Sequence, residues 1–578
     1  MTNAEIARVL REIAVFLDMD GVPFKPRAYE KVASAVEAVD GQIADIYRKG
    51  GVKAVEDIPG VGKSIAEKIV TLIETGKLPY YEELHQKTPV DVSGLSAIEG
   101  LGPKNIKALY QELGVRTVED LEEAARNGRV RALPHFGEKS EQKILKGIEF
   151  LKRSGGRFLL SAVLPLMHEI EARLLNVGGV KQVAIAGSIR RYKETVGDGD
   201  ILVVSTKPDA VMDMLVSMPE VVHVHGKGTT KSSVKLSSGM DVDVRVVPAQ
   251  SFGAALAYFT GSKAHNVTLR KIAIERKLKL NEYGVFRGER SIAGRTEEEV
   301  YAALGLPHIA PELREDTGEI QAAQFGTLPD LVGYDDLRGD LQTQTSWTDG
   351  ANSIEEMVAE ARRLGHEYIA ITDHTRGLAM MGGSDEKKLR EQMRIIEALD
   401  GQVKDIAVLK GAEVNINKDG SLDIDDDTLA ELDVVGVAVH SHFNLSRAEM
   451  TTRIIRAMES PHADILFHPT GRVLQKRAPY EVDLDAIIEA AKRTGTILEV
   501  DAYPDRLDLR DEHVRKVVNA GVKLVIDSDA HSVNHLHNLH FGIGTARRGW
   551  ASKADVINTL PLERFHGALK GGARRAKR

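Results

Sequence analysis

Cysteine is absent from all 578 residues. Disulfides and thiolate zinc sites are therefore excluded, and a reducing cytoplasm fits the absence. Long apolar runs are missing too. No stretch of about 18 apolar residues occurs, so no membrane span is expected. The opening "MTNAEIARVLREIAVFLDMD" contains acids and lacks an extended apolar core, so it does not read as a signal peptide. Net positive charge is lacking: the formal charge is -8. Its distribution is uneven, about +3 over residues 1–300 and about -11 over the remainder. A mildly basic front suits a polyanionic partner, and an acidic back suits a cluster of metal ligands. Chance asymmetry between domains would give the same figures. With 42% hydrophobic and 28% charged residues the composition is that of a globular protein. At roughly 100–200 residues per domain, three to five domains are expected.

What is present begins with short amphipathic helices, such as "NAEIARVLREIAVFLDMDG" and "RAYEKVASAVEAVDG". A phrase then recurs as "IPGVGKSIAEKI", "IEGLGPKNIKALY" and "LPHFGEKSEQKIL". The template is apolar-x-Gly-apolar-Gly followed by a helix, with His135 in place of the first glycine in the third copy. From about 158 to 290 the pattern is mixed α/β, with strand-like "KQVAIAG", "DILVVS" and "DVDVRVV". The stretch from 305 to 335 is rich in Pro, Gly and polar residues and reads as the major linker. Beyond 336, strands such as "YIAIT", "VVGVAVH" and "KLVIDSD" alternate with helical stretches, which predicts a parallel, barrel-like βα architecture. His440, His468 and Asp529 fall at the C-terminal strand ends, where such folds place ligands.

Each Gly-x-Gly turn aims backbone N–H groups and a positive helix end outward, so a phosphate can approach closely. Gly60, Gly62, Gly100, Gly102 and Gly137 are the glycines of the three copies. Such contacts grip a duplex backbone without reading its sequence. The copies resemble helix-hairpin-helix motifs.

The densest chemistry is "AGSIRRYKETVGDGDILVVS" with "MDVDVRVVP". Asp198 and Asp200 lie two apart, so a strand puts both carboxylates on one face. Asp241 and Asp243 form a second such pair. Three carboxylates converging from adjacent strands can hold two Mg²⁺ ions about 4 Å apart. Ser188 and Arg191, in the preceding turn, can hold a triphosphate.

At these residues the chain resembles the family X DNA polymerases, in the bacterial form with a C-terminal PHP domain. "GSIRR", "GDGD" and "DVDVRVVP" match the family's palm, and "AYFTGSKAHN" its thumb entry. The resemblance implies a multidomain α+β and α/β chain. Its parts would be a DNA-binding helical domain (1–80), a helix-hairpin-helix region (81–157), a nucleotidyltransferase palm with a mixed sheet (158–250) and a thumb (251–318). A linker (319–335), a distorted (β/α) PHP barrel (336–570) and a basic tail (571–578) would follow. The resemblance implies that Asp198, Asp200 and Asp243 bind two Mg²⁺ or Mn²⁺ ions, preferring Asp243 over Asp241. Asp243 would also accept the primer 3′-hydroxyl proton. Gly187, Ser188 and Arg191 would hold the nucleotide with Gly261. Tyr258 and Phe259 would lie under the incoming sugar, Asn266 and Arg270 near the minor groove, and Lys263 would add a cation for the dNTP. "FKPRAYEKVAS" and "GVGKSIAEKI" match the family's small DNA-binding domain, which gives Lys68 the position of a Schiff-base lysine. Lys25, Lys31 and Lys63 would lower its pKa and bind a 5′-phosphate. A plain phosphate contact by Lys68 is the alternative. The expected partners are gapped or nicked duplex DNA and dNTPs, with no membrane. The expected state is a monomer in the cytoplasm, at the bacterial nucleoid.

The PHP resemblance rests on Asp349, His374, Glu413, His440, His468, Asp529 and His531, in family order. Imidazoles with carboxylates suit Zn²⁺ or Mn²⁺, and the family's intact members hold up to three metals and act as 3′→5′ exonucleases. Yet "GDLQTQTSWTDG" carries Gln342 and Gln344 where the family's His-x-His belongs. A glutamine carbonyl is a weak neutral ligand, and its NH₂ repels a cation. Fewer than three ions are therefore expected. Three readings stay open: a weakened Mn²⁺ nuclease, a silent platform or DNA-binding surface, or a site completed by His442, His535 or His537. The whole chain is expected to fill short gaps in DNA repair. The rival reading is mainly a nuclease or DNA-end scaffold with a slow polymerase site. The tail "KGGARRAKR" can touch DNA nonspecifically.

Overall fold

The computed structural model describes residues 1–570 apart from 2, 38, 40, 41, 59, 97, 99, 100 and 155. The tail at 571–578 and Gly100 therefore lie outside the described residues. The front of the chain is helical. Asn3–Met19, Lys25–Glu37, Ile43–Glu56 and Lys63–Thr75 bury one apolar cluster around Leu10, Val32 and Ile69. A second cluster gathers Leu95, Ile106, Leu121 and Ile148, and it also takes Phe16 and Met19 from the first helix. One helix thus serves two cores and ties the two helical lobes together.

The same backbone hydrogen bond recurs in each copy of the repeated phrase. Val61 N donates to Ile58 O (3.0 Å), Leu101 N to Ile98 O (3.1 Å) and Phe136 N to Leu133 O (3.1 Å). Gly60 takes φ +82°, and His135, its counterpart in the third copy, takes φ +70°. The turn demands the left-handed region, and histidine occupies it at a cost of about 1 kcal/mol.

The middle of the chain carries a five-stranded mixed sheet. Its strands are β1 (Val180–Ile185), β2 (Asp198–Ser205), β3 (Val221–Lys227), β4 (Lys231–Leu236) and β5 (Asp241–Val246), in the order β1-β2-β5-β4-β3. Only β2 and β5 run parallel, and their register sets Asp198 opposite Asp241 and Asp200 opposite Asp243. The next unit packs the helices Phe252–Thr260, Lys263–Glu275 and Glu297–Ala303 around a three-stranded sheet. The stretch expected to be the major linker is packed instead. Its helix Glu319–Phe325 buries Ile320 and Ala323 in that same core, and Arg314 is fully buried on Glu297. Apolar residues at helical spacing inside a Gly- and Pro-rich stretch explain the difference.

The last unit is a seven-stranded parallel sheet in sequential order. Its strands are β6 (Gly339–Asp340), β7 (Tyr368–Ile371), β8 (Ala407–Asn415), β9 (Val434–Ala438), β10 (Ile465–Leu466), β11 (Ile497–Asp501) and β12 (Leu524–Asp527). A parallel bridge from Thr343 to Ala530 brings the first and last strands together, so the sheet nearly closes. Its strands are buried on both faces, as an enclosed parallel sheet requires. No helix among the described residues is long and apolar enough to cross a membrane.

Candidate active sites

The first site stands at the start of β2 and β5. The alternation of "DGDILVVS" buries Ile201 and Val203 and leaves Asp198 and Asp200 on the open face. Gly187, in the short helix Gly187–Arg190, takes φ +65°, and a Cβ there would meet Asp200 Oδ2 at 2.6 Å. That glycine lets the Gly-Ser turn close over the carboxylates. Burial pushes Asp200 up to about 6, and the charges of Asp198 and Asp243 add to the rise. Burial would raise Asp243 as well, but the Ser233 hydroxyl and the Lys231 ammonium hold it below the usual range. Lys231 Nζ lies 2.9 Å from Asp243 Oδ2, and Arg245 Nη2 lies 3.8 Å from it. Such a cluster of repelling carboxylates, drawing in the chain's own cations, fits divalent ions coordinated by Asp198, Asp200 and Asp243. Asp241 belongs elsewhere: it is exposed and pairs with Lys235 (2.9 Å) and His225 (2.8 Å).

The residues expected on the nucleotide side gather nearby. Arg191 Nε donates to Glu315 (3.0 Å), and its Nη1 donates to the Thr260 carbonyl. A Cβ on Gly261 (φ +74°) would come 3.1 Å from that Nη1. Tyr258 and Phe259 pack edge to face at 5.1 Å, and Arg245 covers Phe259 at 4.6 Å. Asn266 Nδ2 donates to Tyr258 O (2.7 Å), and Arg270 Nε to Asn266 O (3.2 Å). Ser188 is half-buried, and Lys263 is exposed at the head of its helix.

In the front lobe, Lys68 is half-buried. Its Nζ donates to Ser64 O and Oγ, both at 3.0 Å, and lies 5.2 Å from the Tyr80 ring centroid. Lys25, Lys31 and Lys63 are exposed, and the Lys31 stem rests on Gly60. Gly62 and Gly102 stand at the N-caps of the helices Lys63–Thr75 and Pro103–Leu113, and Gly137 precedes Glu138–Ser154.

The second site lies at the C-terminal mouth of the parallel barrel. Among the described residues, two groups of three bring ligand atoms within 4.8 Å of one another. One is Asp349, His374 and His531, and the other is His374, Glu413 and His440. His468 joins through Glu413, whose Oε1 lies 2.8 Å from both His440 Nε2 and His468 Nε2. Burial would raise Glu413, but the surrounding imidazoles hold it well below the usual range. Burial opposes a charge on His531, yet Asp349 and Asp529 push it up to about 10. This donor set fits a divalent cation. His374 belongs to both groups, with Nε2 toward Asp349 (3.5 Å) and Nδ1 toward Glu413 (3.3 Å). A neutral imidazole has one free lone pair, so it cannot serve an ion on each side.

The glutamines do not fit an imidazole-ligated ion. Both are fully buried. Gln344 Nε2 donates to Glu413 Oε2 (2.7 Å), occupying an oxygen that a metal would use, and both polar atoms of Gln342 lack partners in the protein. Asp529 does not join either group. It lies 3.4 Å from the Arg506 guanidinium, which also approaches Asp501 (3.6 Å). Arg506 is a cation inside the centre that motif reading missed; its signal was the charged run "DAYPDRLDL" directly after a buried strand. Nor are the spare histidines in either group. His537 pairs with Glu360 (2.8 Å), His442 is exposed, and His535 Nδ1 accepts from the His531 backbone N–H (3.2 Å).

Paired carboxylates on parallel strands beside a Gly-Ser turn, behind helical hairpin lobes, define a nucleotidyl-transferring enzyme; a metal-ligating barrel is joined to it. The chain belongs to the bacterial family X DNA polymerases that carry a PHP domain. It is 38% identical over 575 residues to the DNA polymerase/3'-5' exonuclease PolX of Bacillus subtilis, covering 99% of this chain and 100% of that protein. DNA polymerase lambda of Rattus norvegicus is 27% identical over 355 residues, 54% of this chain and 56% of its own length. A probable phosphatase of Caldanaerobacter subterraneus is 30% identical over 190 residues, 31% of this chain and 70% of its own. Family models agree on the parts: a helix-hairpin-helix domain at 1–78 and a SAM-like helix-hairpin-helix tandem at 92–149. The DNA polymerase beta thumb matches 255–315, and the PHP domain matches 340–501.

Proposed function

We propose that the chain fills short gaps in duplex DNA during repair, adding dNTPs at the first site in the cytoplasm as a monomer. The observation that carries this reading is the register of Asp200 opposite Asp243 beneath the Gly187–Arg191 turn. Two Mg²⁺ or Mn²⁺ ions held there would activate the attacking hydroxyl and stabilise the leaving group. Of the chain's own residues, Asp243 accepts the primer hydroxyl proton. Ser188 and Arg191 hold the triphosphate, and Tyr258 and Phe259 wall off a ribose 2′-hydroxyl. Asn266 and Arg270 steady the nascent pair, and Lys263 adds charge at the entrance. The three turns at Gly60, Gly102 and Gly137 grip the phosphate backbone. We set the helical lobes to about 157, the palm to 250, the thumb from 251 and the barrel from 336.

The barrel we read as a weakened Mn²⁺- or Zn²⁺-dependent 3′→5′ exonuclease with fewer than three ions. The Gln344–Glu413 hydrogen bond and the sharing of His374 support that count. An end-labelled duplex with a one-nucleotide gap tests both activities in Mg²⁺ and in Mn²⁺, with and without dNTPs. Extension is expected to vanish in Asp200→Ala and persist in His440→Ala. Shortening without dNTPs is expected to show the reverse. No shortening by wild type in either metal leaves the barrel an architectural part. Lys68 is assigned as a 5′-deoxyribose phosphate lyase nucleophile, on its half-buried place beside Tyr80. Borohydride should trap wild type, but not Lys68→Ala, on an incised abasic-site duplex. Absence of trapping in wild type leaves Lys68 as a phosphate contact.

A further inference from the structure

The four residues that follow the Gly-Ser turn run Arg191, Tyr192, Lys193, Glu194, and the barrel domain holds three of them. Arg548, at the end of the barrel helix Leu539–Arg548, donates from Nη1 to the Arg191 carbonyl (2.8 Å). Gly544 of the same helix lies so close to Tyr192 that a Cβ would sit 2.2 Å from its Cδ1. Arg472, in the loop after β10, donates to Glu194 (2.8 Å). Phe541, Leu474 and Leu507 of the barrel domain enter the palm's own apolar core.

Arg548 does more than touch the turn. Its Nη1 also donates to Glu315 (3.0 Å), the carboxylate that fixes Arg191 Nε. Its Nε and Nη2 are anchored on Asp511, at 2.9 and 2.6 Å. The Arg548 side chain is 4% exposed, so these interactions are scarcely screened. With Nε on Glu315 and Nη1 on Thr260, Arg191 keeps Nη2 without a hydrogen bond among the described residues. That is the atom left for a phosphate oxygen.

We propose that Arg548, held by Asp511, is a positioning residue for nucleotide binding by the polymerase site. It fixes the main chain of Arg191 and offsets the negative charge of Glu315, so that the Arg191 guanidinium keeps its aim and its positive field toward a triphosphate. Without Arg548, the carbonyl of half-buried Arg191 loses its donor, and Glu315, left with Arg191 and the more distant Lys193 (3.9 Å), weighs more heavily on Arg191. Both changes weaken phosphate binding, and neither touches the carboxylates that perform the chemistry. The barrel therefore contributes to dNTP selection whatever its own hydrolytic activity. This inference rests on the reading of Arg191 as a triphosphate ligand.

The test is steady-state dNTP incorporation on a one-nucleotide gap by the full chain. Arg191→Ala, Arg548→Ala, Arg548→Lys and Asp511→Asn are compared with wild type, each checked for an unchanged melting profile. Arg548→Ala is expected to raise KM for dNTP roughly three- to tenfold, with the effect falling on KM rather than kcat. Arg548→Lys should recover part of the loss, because it returns the charge beside Glu315. Asp511→Asn should move KM in the same direction from a position that hydrogen-bonds Arg548 and not Arg191 or Glu315, and it carries the test if Arg548→Ala does not fold. An unchanged KM in folded Arg548→Ala and Asp511→Asn, with KM raised in Arg191→Ala, overturns the inference and leaves the nucleotide reading standing. An unchanged KM in Arg191→Ala overturns both.

Discussion

The two sites differ in how their ligands are supplied. In the palm, the aspartates come from two neighbouring strands whose register alone brings them face to face. In the barrel, the candidate ligands come from loops after β6, β7, β9, β10 and β12 as well as from β8, and each depends on its own local geometry. A site built on one strand pair stands or falls as a unit. A site assembled from many loops can lack a contributor and still keep a cluster, and here Asp349, His374, Glu413, His440 and His531 form two candidate groups beside Gln342 and Gln344.

The contrast can be broken in order of effect. Asp200→Ala should lower gap filling at least about 10³-fold, because one lost carboxylate disables the whole palm centre. A loss under tenfold would mean that the palm, too, tolerates missing ligands. Next comes the packing that holds the palm to the thumb. Glu297 is buried and accepts from Arg190 (2.7 Å) and Arg314 (2.5 Å). Burial would raise its pKa, but His308, Arg190 and Arg314 hold it well below the usual range. Its folded value lies below its unfolded one. It therefore contributes stability that is present above the unfolded pKa, about 4.3, and is lost as pH falls through the folded value. Glu297→Gln should destabilise by about 3 kcal/mol at pH 7, since it strands the fully buried Arg314 guanidinium and the half-buried one of Arg190. The gap between the thermal melts of the two proteins should narrow as pH falls below about 4.3 and close only as pH passes the folded value; a gap that is constant with pH would show that Glu297 is not the acid-sensitive group. The smallest effect is expected where the barrel is already depleted. Gln342→His with Gln344→His should add bound metal by elemental analysis and raise exonuclease activity roughly tenfold. If neither changes, Arg506 rather than the glutamines limits the centre.

Much of this was legible in the sequence, and what was hidden follows a rule of distance. The strand pairs were readable because alternation and carboxylate spacing are local. The three turns were readable as a repeat, and His135 confirmed its place in the template by adopting the backbone angle of a glycine. The barrel was readable from alternating strands and helices. The buried helix Glu319–Phe325 was not, because its Gly and Pro neighbours masked a short apolar face. Arg506 was missed because nothing in "DAYPDRLDL" says which way a long cation turns. The Arg548 contact joins residues 357 apart in the chain, and no spacing rule reaches that far.

The fit of Gly544 against Tyr192 bears on how such a chain can change over generations. The barrel answers to two separate demands. Its mouth must hold ions, and its flank must brace a neighbouring fold. Substitutions confined to the mouth would relax only the first demand. A lineage in which hydrolysis became dispensable would still be penalised for losing the barrel, because the palm would be left with an unsupported turn and an open apolar wall. The chemistry can decay while the domain stays, kept as masonry after its original trade has lapsed.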